Sequence, residues 1–521
     1  MKKAFSVLLA IAMVLVCVPL GAIATVLASS YGDGYYNYRI EGDGAVITGV
    51  STAISGDVTI PAAFPFGEGE IPVIAIDFAA FRSCNNMTSV TIPGSISTIG
   101  EAAFHMCENL TAVTIGEGVT TIADSAFNGC SSLQSVVIPD SVTSIGKQAF
   151  VWCDSLTTAV IGDGVVTIGD GAFTICPSLT SVTIGDSVTT ISNNAFANCP
   201  SLASVTIGDS VTTIGNGAFA DCTSLTSVTI PDSVTTIGAG AFRSCTALAD
   251  IFVGGNVTSI GGQAFYGSAF YEDKSNWSDE GLYIGNYFIA SSGAYNRSCT
   301  LREGTRVIAA QAFYYCRSLQ MVTIPDSVVG IGREAFYHCD DLTAVIIPEG
   351  VTCIEYGTFE MCSRLESITI PNSVTTIEYC AFWNACVTEV IYCGTEEQWD
   401  AISIDSANDA LKNATRRYHD RITATCTTTE VCIACGETLA AALGHSWADN
   451  ACSRCETVCV DANGDSHITI DDAVYLLYYT MLPEQYPLTS VTDVNGDGDT
   501  DGDDAIYLLY YCLLPDLYPL K

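Results

Sequence analysis

A phenylalanine that recurs every 23 residues constrains the fold of this 521-residue chain more than any other feature. Nine phenylalanines follow one another at this spacing from Phe81 to Phe265, and four more run from Phe313 to Phe382. A unit of this length is too short to bury its own apolar side, so successive units must stack and share one core. The period therefore predicts a solenoid built from 23-residue coils.

Each coil is predicted to contain a short strand and an apolar return path. Leu225, Val228 and Ile230 have the spacing of a short strand, and such strands line the concave face of a horseshoe-shaped repeat solenoid. The residues expected to fill the inside of the return path are Val234, Ile237, Ala241 and Phe242. The distance from Phe265 to Phe313 is 48 residues, two more than two repeats, which predicts an irregular double turn or a loop between them.

A cysteine follows most of the ladder phenylalanines by three residues. These eleven cysteines are Cys84, Cys107, Cys130, Cys153, Cys176, Cys199, Cys222, Cys245, Cys316, Cys339 and Cys362. A small, weakly hydrogen-bonding thiol suits a buried turn position in each coil. Disulfides between stacked coils are the alternative, since an exported protein can form them. We expect free buried thiols.

The residues that point outward from the predicted strands are mostly serine and threonine. Examples are Ser89 and Thr91, Ser181 and Thr183, Ser204 and Thr206, Ser227 and Thr229, and Ser367 and Thr369. This surface lacks the aromatic rings on which sugars stack, so strand propensity or protein recognition explains it better than carbohydrate binding. The aromatic residues of the irregular stretch offer a second candidate surface, unless they pack that coil: Tyr266, Phe270, Tyr271, Trp277, Tyr283, Tyr287 and Phe288.

The recurring pattern Ile-Pro-x-x-Val-x-x-Ile-x-x-x-Ala-Phe-x-x-Cys resembles the BspA-like leucine-rich-repeat family of bacterial surface proteins across about residues 60–418. The segment from Tyr392 to Trp399 resembles the degenerate closing repeat of that family. The predicted divisions are a signal peptide (1–28), an amino-terminal cap (29–80), repeats (81–265), an irregular double repeat or insertion (266–312), repeats with a closing cap (313–420), a Cys-rich spacer (421–459) and a carboxy-terminal module (460–521).

Charge and the amino terminus predict an exported protein. The net charge of −38 disfavours nucleic acid and anionic membranes as partners and suits a protein that binds divalent cations. Lys2 and Lys3 precede an apolar run, and small residues allow cleavage after Ala24 or Ala28. We expect secretion, no transmembrane segment after cleavage, and attachment at the cell surface by other means.

Two Cys-x-x-Cys pairs lie in the predicted spacer, at Cys432 with Cys435 and at Cys452 with Cys455. Sixteen residues separate the pairs, which fits a four-thiolate zinc ribbon. Two disulfides are an equally good interpretation in an exported protein. Either arrangement would stiffen the spacer.

The last 60 residues contain two twelve-residue acidic loops with the ligand spacing of calcium sites. Calcium prefers six to eight oxygen ligands, and such loops supply them from positions 1, 3, 5, 7, 9 and 12. The first loop offers Asp461, Asn463, Asp465, His467 (through its carbonyl), Thr469 and Asp472. The second loop offers Asp493, Asn495, Asp497, Asp499 (through its carbonyl), Asp501 and Asp504. We therefore expect two calcium ions.

A predicted amphipathic helix follows each loop, and the two halves repeat with an offset of 32 residues. No helix precedes either loop, and position 12 is aspartate. This duplicated pattern resembles a type I-like dockerin, which implies calcium-dependent binding to a cohesin domain of a scaffoldin. The cohesin contacts implied by the resemblance are Ile470, Asp471, Tyr478, Gly502, Asp503 and Tyr510.

The sequence thus predicts a β-rich leucine-rich-repeat solenoid, a small Cys-rich spacer and an all-α dockerin with two calcium loops. We expect a noncatalytic binding or adhesion protein of a cellulosome-like or cell-surface complex linked to polysaccharide degradation, whose repeats bind an unidentified protein or glycan. The alternative is a glycoside hydrolase of such a complex. That enzyme would need two facing carboxylates in a cleft, and we assign no catalytic residue.

Overall fold

A computed structural model describes residues 31–32, 34–293 and 297–418, and the backbone of four further strands, Glu430–Val431, Thr438–Ala440, Trp447–Ala448 and Ala451–Cys452. The chain divides into two compact units. The first contains Met1–Ile368, Ser373–Val390 and Ile402–Thr415. The second contains Thr369–Asn372, Ile391–Ala401 and Arg416–Lys521.

The repeats form a β-solenoid of about fifteen turns, as predicted from the phenylalanine period. One strand of each coil, here named the long strand, alternates exposed and buried side chains because its apolar residues face the core. The long strands are Gly56–Thr59, Met87–Ile92, Ala112–Ile115, Ser135–Ile138, Thr158–Ile161, Ser181–Thr183, Ser204–Thr206, Ser227–Ile230, Asp250–Val253, Ser298–Thr300, Met321–Thr323, Ala344–Ile346, Ser367–Pro371, Glu389–Cys393 and Thr415–Tyr418.

A second strand of two residues, here named the short strand, pairs in parallel and in register with its neighbours, as in the pairing of Ile214 with Ile237. The short strands are Thr98–Ile99, Thr121–Ile122, Ser144–Ile145, Thr167–Ile168, Thr190–Ile191, Thr213–Ile214, Thr236–Ile237, Ser259–Ile260, Val307–Ile308, Gly330–Ile331, Cys353–Ile354, Thr376–Ile377 and Ser403–Ile404.

Between the short strand and the next long strand lies the segment here named the phenylalanine turn. Its phenylalanine is fully buried and stacks on those of the adjacent coils, with ring centroids 4.8–5.5 Å apart from Phe81 to Phe265. The predicted interior residues Val234, Ile237, Ala241 and Phe242 are all buried. The prediction of a shared core is confirmed.

Hydrogen bonds join neighbouring coils in opposite directions on opposite sides of the solenoid. In the phenylalanine turns an amide donates to the following coil, as Phe104 does to the Ala126 carbonyl at 2.7 Å. Beside the strands an amide donates to the preceding coil, as Thr111 does to the Thr88 carbonyl at 2.8 Å. Each coil therefore presents matched donors and acceptors to both neighbours.

Five strands precede or flank the first coils: Tyr31–Gly32, Tyr36–Glu41, Gly44–Val50, Ala63–Phe66 and Gly69–Ile76. Gly69–Ile76 pairs in parallel with the short strand Thr98–Ile99. Tyr36 approaches Phe81 at 6.3 Å between ring centroids, so these strands cover the first phenylalanine of the ladder.

The irregular stretch contains one helical turn at Ala269–Glu272, a 3-10 turn at Lys274–Asn276, and the antiparallel strands Gly281–Ile284 and Tyr287–Ser291. Phe288 is paired with Ile308 of the next short strand, and its ring stacks on Phe313 at 4.9 Å. Phe288 thus supplies the aromatic neighbour that the interrupted ladder would otherwise lack.

In the second unit, helix Glu396–Asp400 begins with a capping box formed by Thr395 and Gln398. Trp399 is buried against Tyr392, with ring centroids 5.2 Å apart. In the first unit, Asn408 precedes helix Asp409–Asn413 and accepts a hydrogen bond from the amide of Phe382, the last ladder phenylalanine.

A candidate binding surface on the phenylalanine turns

The outward residues of the long strands form a largely uncharged surface, as the sequence predicts. Ser204, Thr206 and Thr229 are exposed. Thr369 departs from the expectation and is buried, because Thr369–Asn372 pack with Ile391–Ala401 in the second compact unit. The apolar exceptions on this surface are Val137, Val160, Phe252, Met321 and Ile346.

Threonines that precede the strands have a structural role that sequence reasoning missed. The Thr212 hydroxyl donates to the Thr189 carbonyl, and the Thr235 hydroxyl donates to the Thr212 carbonyl, each at 3.2 Å. The hydroxyl of each such threonine therefore bonds to the coil before it. This contact explains the abundance of threonine there without a ligand.

The ladder cysteines are free thiols and almost all are buried. The thiol of Cys199 donates to the Phe173 carbonyl at 3.2 Å, and the same contact recurs at 3.0–3.5 Å in eight other coils. Burial raises the pKa of the Cys245 and Cys362 thiols to about 12. The Cys245 and Cys362 thiols are therefore hydrogen-bonded core groups, protonated at neutral pH.

The aromatic residues of the irregular stretch mostly pack that stretch. Tyr283, Tyr287 and Phe288 are buried, and the Trp277 indole donates to the Tyr271 carbonyl at 2.7 Å. Of the aromatic residues named there, Tyr266 is exposed. The packing interpretation is therefore better supported than a binding surface at this place.

A cluster of aromatic and acidic side chains, here named the aromatic–acidic surface, covers the phenylalanine turns of the last coils. Its residues are Tyr314, Tyr315, Glu334, Tyr337, His338, Tyr356, Glu360, Tyr379 and Trp383. Tyr314, Tyr379 and Trp383 are each between 43% and 49% exposed. Sequence reasoning missed this surface, although Tyr314-Tyr315 and Tyr337-His338 directly follow ladder phenylalanines.

The rings of this surface are stacked along the solenoid. Tyr314 lies 4.9 Å from Tyr337 at 13° between ring planes, and Tyr315 lies 4.7 Å from His338 at 16°. Tyr356 faces Tyr379 at 6.2 Å. Because stacked rings hide much of their faces from solvent, the tyrosines present mainly edges and hydroxyls, which suits protein recognition better than stacking on sugars.

Backbone geometry holds these side chains in rows. Two residues in each phenylalanine turn have left-handed conformations, for example Glu334 (φ 55°) and His338 (φ 56°) around Phe336. The Tyr315 amide donates to the Tyr337 carbonyl at 2.8 Å, and the His338 amide donates to the Glu360 carbonyl at 3.0 Å. Equivalent side chains of successive coils are therefore neighbours on the surface.

Two glutamates converge within this surface. Glu360 is only 8% exposed, and Glu334 accepts a hydrogen bond from the Gln311 side chain at 2.8 Å. A β-carbon at Gly357 would lie 3.0 Å from Glu360 Oε2 and 3.1 Å from Glu334 Cγ, so the glycine leaves room for both carboxylates. Burial, followed by the charge of Glu334, raises the pKa of Glu360.

An open groove of about 620 Å³ adjoins the aromatic–acidic surface. Its charged and aromatic lining includes Arg243, Arg333, Glu355 and Tyr356. The Arg333 guanidinium lies over the Tyr356 ring at 5.2 Å and 3.4 Å from a carboxylate oxygen of Glu378. The groove therefore combines charged and aromatic groups, and it is continuous with the surface through Glu334 and Tyr356.

The predicted calcium loops (461–472 and 493–504), the cohesin contacts within 470–510 and Cys432, Cys435 and Cys455 lie outside the described residues. The backbone of Cys452 belongs to strand Ala451–Cys452, but its side chain is not among those described. Within the described part of the chain, no cluster of three His, Cys, Asp or Glu residues could hold a metal ion. No helix in that part has the length and apolar character needed to cross a bilayer.

Stacked 23-residue coils with in-register strands define a leucine-rich-repeat solenoid. A family model described as the BspA type leucine rich repeat region matches residues 74–203, 166–294 and 282–403. The chain therefore belongs to the BspA-type leucine-rich-repeat family, as the repeat pattern predicts. Proteins of this type are commonly secreted or found at the cell surface.

Solved structures of bacterial repeat proteins are similar to this chain. A leucine-rich-repeat protein from Bacteroides ovatus ATCC 8483 is 25% identical, with 74% of this chain and 99% of that chain covered and a TM-score of 0.39. A leucine rich cell surface protein from Faecalibacterium prausnitzii A2-165 is 32% identical, with 72% and 98% covered and a TM-score of 0.35. No curated protein sequence matches the chain.

Proposed function

We propose that this chain is a noncatalytic binding or adhesion protein whose dockerin attaches it to a cohesin-bearing complex at the cell surface. The observation that carries the binding role is the exposed aromatic–acidic surface on a repeat array of the BspA type. Aromatic residues are enriched at protein interfaces, particularly where they form a compact cluster. The repeats supply the recognition surface, and the carboxy-terminal module supplies the attachment.

The two calcium loops support the attachment role. Asp461 and Asp493 stand at the first position of each loop, and the ligand spacing of both loops suits a cation that prefers oxygen. Calcium would neutralise the converging carboxylates, so metal binding and folding of this module become one equilibrium. Cohesin binding is therefore expected only in the presence of calcium.

Titration calorimetry of the full chain tests this role. We expect two calcium ions to bind, and we expect capture by a panel of type I cohesins to disappear in excess chelator. The double variant Asp461→Ala, Asp493→Ala should bind no cohesin at any calcium concentration. Asp209→Ala, at an exposed aspartate of the repeats, is the matched control and should behave as the unchanged chain. Cohesin capture that persists in chelator would rule out a calcium-dependent dockerin.

A polysaccharide-active enzyme remains the alternative. Glu355, which lines the groove, has its pKa raised by burial and by the charge of Glu378. A glycosidase pairs such an acid with a second, free carboxylate. However, the Glu378 carboxylate already accepts hydrogen bonds from Arg333 and from the Tyr356 amide. This engagement favours binding over hydrolysis.

Sugar release distinguishes the two functions. We expect the full chain to release no reducing sugar from cellulose, xylan, pectin or mannan above the level of a heat-treated sample. Release that Glu355→Gln abolishes would replace the binding role with a hydrolase whose acid is Glu355.

A further inference from the structure

The Glu360 side chain lacks the partner that a nearly buried carboxylate normally has. Although Glu360 is only 8% exposed, its carboxylate makes no hydrogen bond or ion pair with any side chain that the structure describes. The charge of His338 acts to lower the pKa of Glu360, but the His338 ring pairs with Asp340 through Nδ1 at 2.9 Å. Burying a charged group without a partner costs free energy, so carboxylates in such places are usually paired with a cation. The position calls for a positive group from beyond the residues that the structure describes.

The surroundings of Glu360 also suit a cation. The charge of Glu360 contributes to the raised pKa values of Tyr314, Tyr337, Tyr356 and Tyr379, which places all four phenols near its carboxylate. Glu334 adds a second carboxylate, converging over Gly357. The phenol hydroxyls that these stacked rings present can accept hydrogen bonds from a cationic group and add to the attraction of the carboxylates.

The cationic side chains nearby are already engaged with other groups. Arg333 pairs with Glu378 and lies over Tyr356. Arg317 pairs with Asp340 at 3.5 Å and lies over Tyr315 at 5.1 Å. These two contacts also show that guanidinium groups fit against the tyrosines of this surface.

We propose that Glu360 and the tyrosines around it bind an arginine side chain of a partner protein. Arginine combines a planar, permanent charge with stacking on aromatic rings, and it is enriched at the energetic centres of protein interfaces. The net charge of −38 attracts basic partners to the chain in general. The Glu360 site adds a specific place where one guanidinium is desolvated and paired.

The inference rests on the proposed binding role and deepens it by naming the chemistry of the partner. Its test is calorimetric titration of the calcium-loaded full chain with a tri-arginine peptide at physiological ionic strength, where long-range charge attraction is screened. A tri-citrulline peptide is the control, because citrulline has nearly the same shape without the charge. We expect tri-arginine to bind and tri-citrulline not to bind.

Two matched variants locate the site. Glu360→Gln keeps the side-chain shape and should lower the association constant for tri-arginine about tenfold. Glu117→Gln removes the same charge at an exposed position and should change it less than about twofold. An unchanged thermal midpoint for Glu360→Gln would show that the fold is intact.

Several outcomes would overturn the inference. Equal weakening by the two variants would mean that net charge alone attracts the peptide. Binding of tri-citrulline would exclude recognition of the charge. Stronger binding of tetramethylammonium than of tri-arginine would identify the site as one for quaternary amines. None of these outcomes affects cohesin capture or the absence of sugar release, so the proposed function would stand or fall separately.

Discussion

At the residue scale, the ladder cysteines are hydrogen-bond donors within the core. In nine coils the buried thiol donates to a phenylalanine carbonyl, and in several of them this carbonyl also accepts a backbone amide, as the Phe219 carbonyl does from Cys222 and from the Cys245 thiol. The thiol is small enough for the turn and satisfies the second lone pair of that carbonyl. A residue without a donor would leave this lone pair without a partner.

The buried thiols make stability depend on alkaline pH. Burial raises the pKa of Cys245 from 9.0 to about 12, so above pH 9 the unfolded chain releases a proton that the folded chain retains. The free energy of unfolding should therefore fall between pH 9 and pH 12 by about 1.4 kcal/mol per pH unit for each such thiol. Urea unfolding at several pH values measures this slope.

The Cys245→Ala variant isolates the contribution of one thiol. The variant should remove the contribution of one thiol from the slope of the unfolding free energy against pH. Any loss of stability at neutral pH shifts the whole curve and leaves this comparison of slopes valid. Cys386→Ala, which removes an exposed thiol, should leave the slope unchanged. An identical slope in Cys245→Ala and the unchanged chain would contradict the assigned pKa.

Residues that repeat could be predicted, whereas residues that vary between coils could not. Phe242 and Val234 are constrained by stacking in every coil, so periodicity alone identifies them as core. Glu360 and Tyr337 occupy equivalent turn positions of adjacent coils, but the residue type at this position changes from coil to coil and gives no periodic signal. Only the spacing of successive coils brings their side chains together.

At the scale of single elements, the stretch between Phe265 and Phe313, which are 48 residues apart, forms the irregular double turn. The spacing predicted an irregularity there, and the structure contains an antiparallel strand pair. The Tyr287 hydroxyl donates to the Gly254 carbonyl of the preceding coil, which ties the extra strands to the solenoid. The spacing did not predict that Phe288 would stack on Phe313. Phe288 occupies a short-strand position, which isoleucine usually fills, and not the ladder position of a phenylalanine turn.

Removing the Tyr287 hydroxyl tests this connection. Tyr287→Phe leaves the Gly254 carbonyl without that donor inside the protein and should cost about 1–2 kcal/mol of unfolding free energy. Tyr266→Phe, at an exposed ring, should cost almost nothing. Chemical denaturation of both variants makes the comparison, and equal stabilities would show that the hydroxyl does not anchor the double turn.

At the scale of the whole molecule, stability is a sum over coils and the contacts between neighbours. Phe196 stacks on Phe173 and Phe219, each within 5.4 Å, so its loss interrupts the ladder in two places. Phe196→Ala should cost about 3–5 kcal/mol and should split thermal unfolding into two steps, since the coils on either side are no longer coupled.

Phe252→Ala is the control for this experiment, because it removes a phenylalanine that is 61% exposed. Differential scanning calorimetry should show a single, almost unshifted transition for Phe252→Ala and two transitions for Phe196→Ala. One cooperative transition in both variants would mean that coupling between coils does not depend on ring stacking.

The opposite directions of the hydrogen bonds on the two sides of the solenoid have a consequence for how such a gene can change. Because each regular 23-residue coil offers the same donors and acceptors to the coil before it and the coil after it, any two regular coils can meet in the same way. Recombination between repeats that removes or adds exactly 23 codons therefore creates a junction like the existing ones. The array can lengthen or shorten during evolution while the turns that carry Glu360 keep their local arrangement.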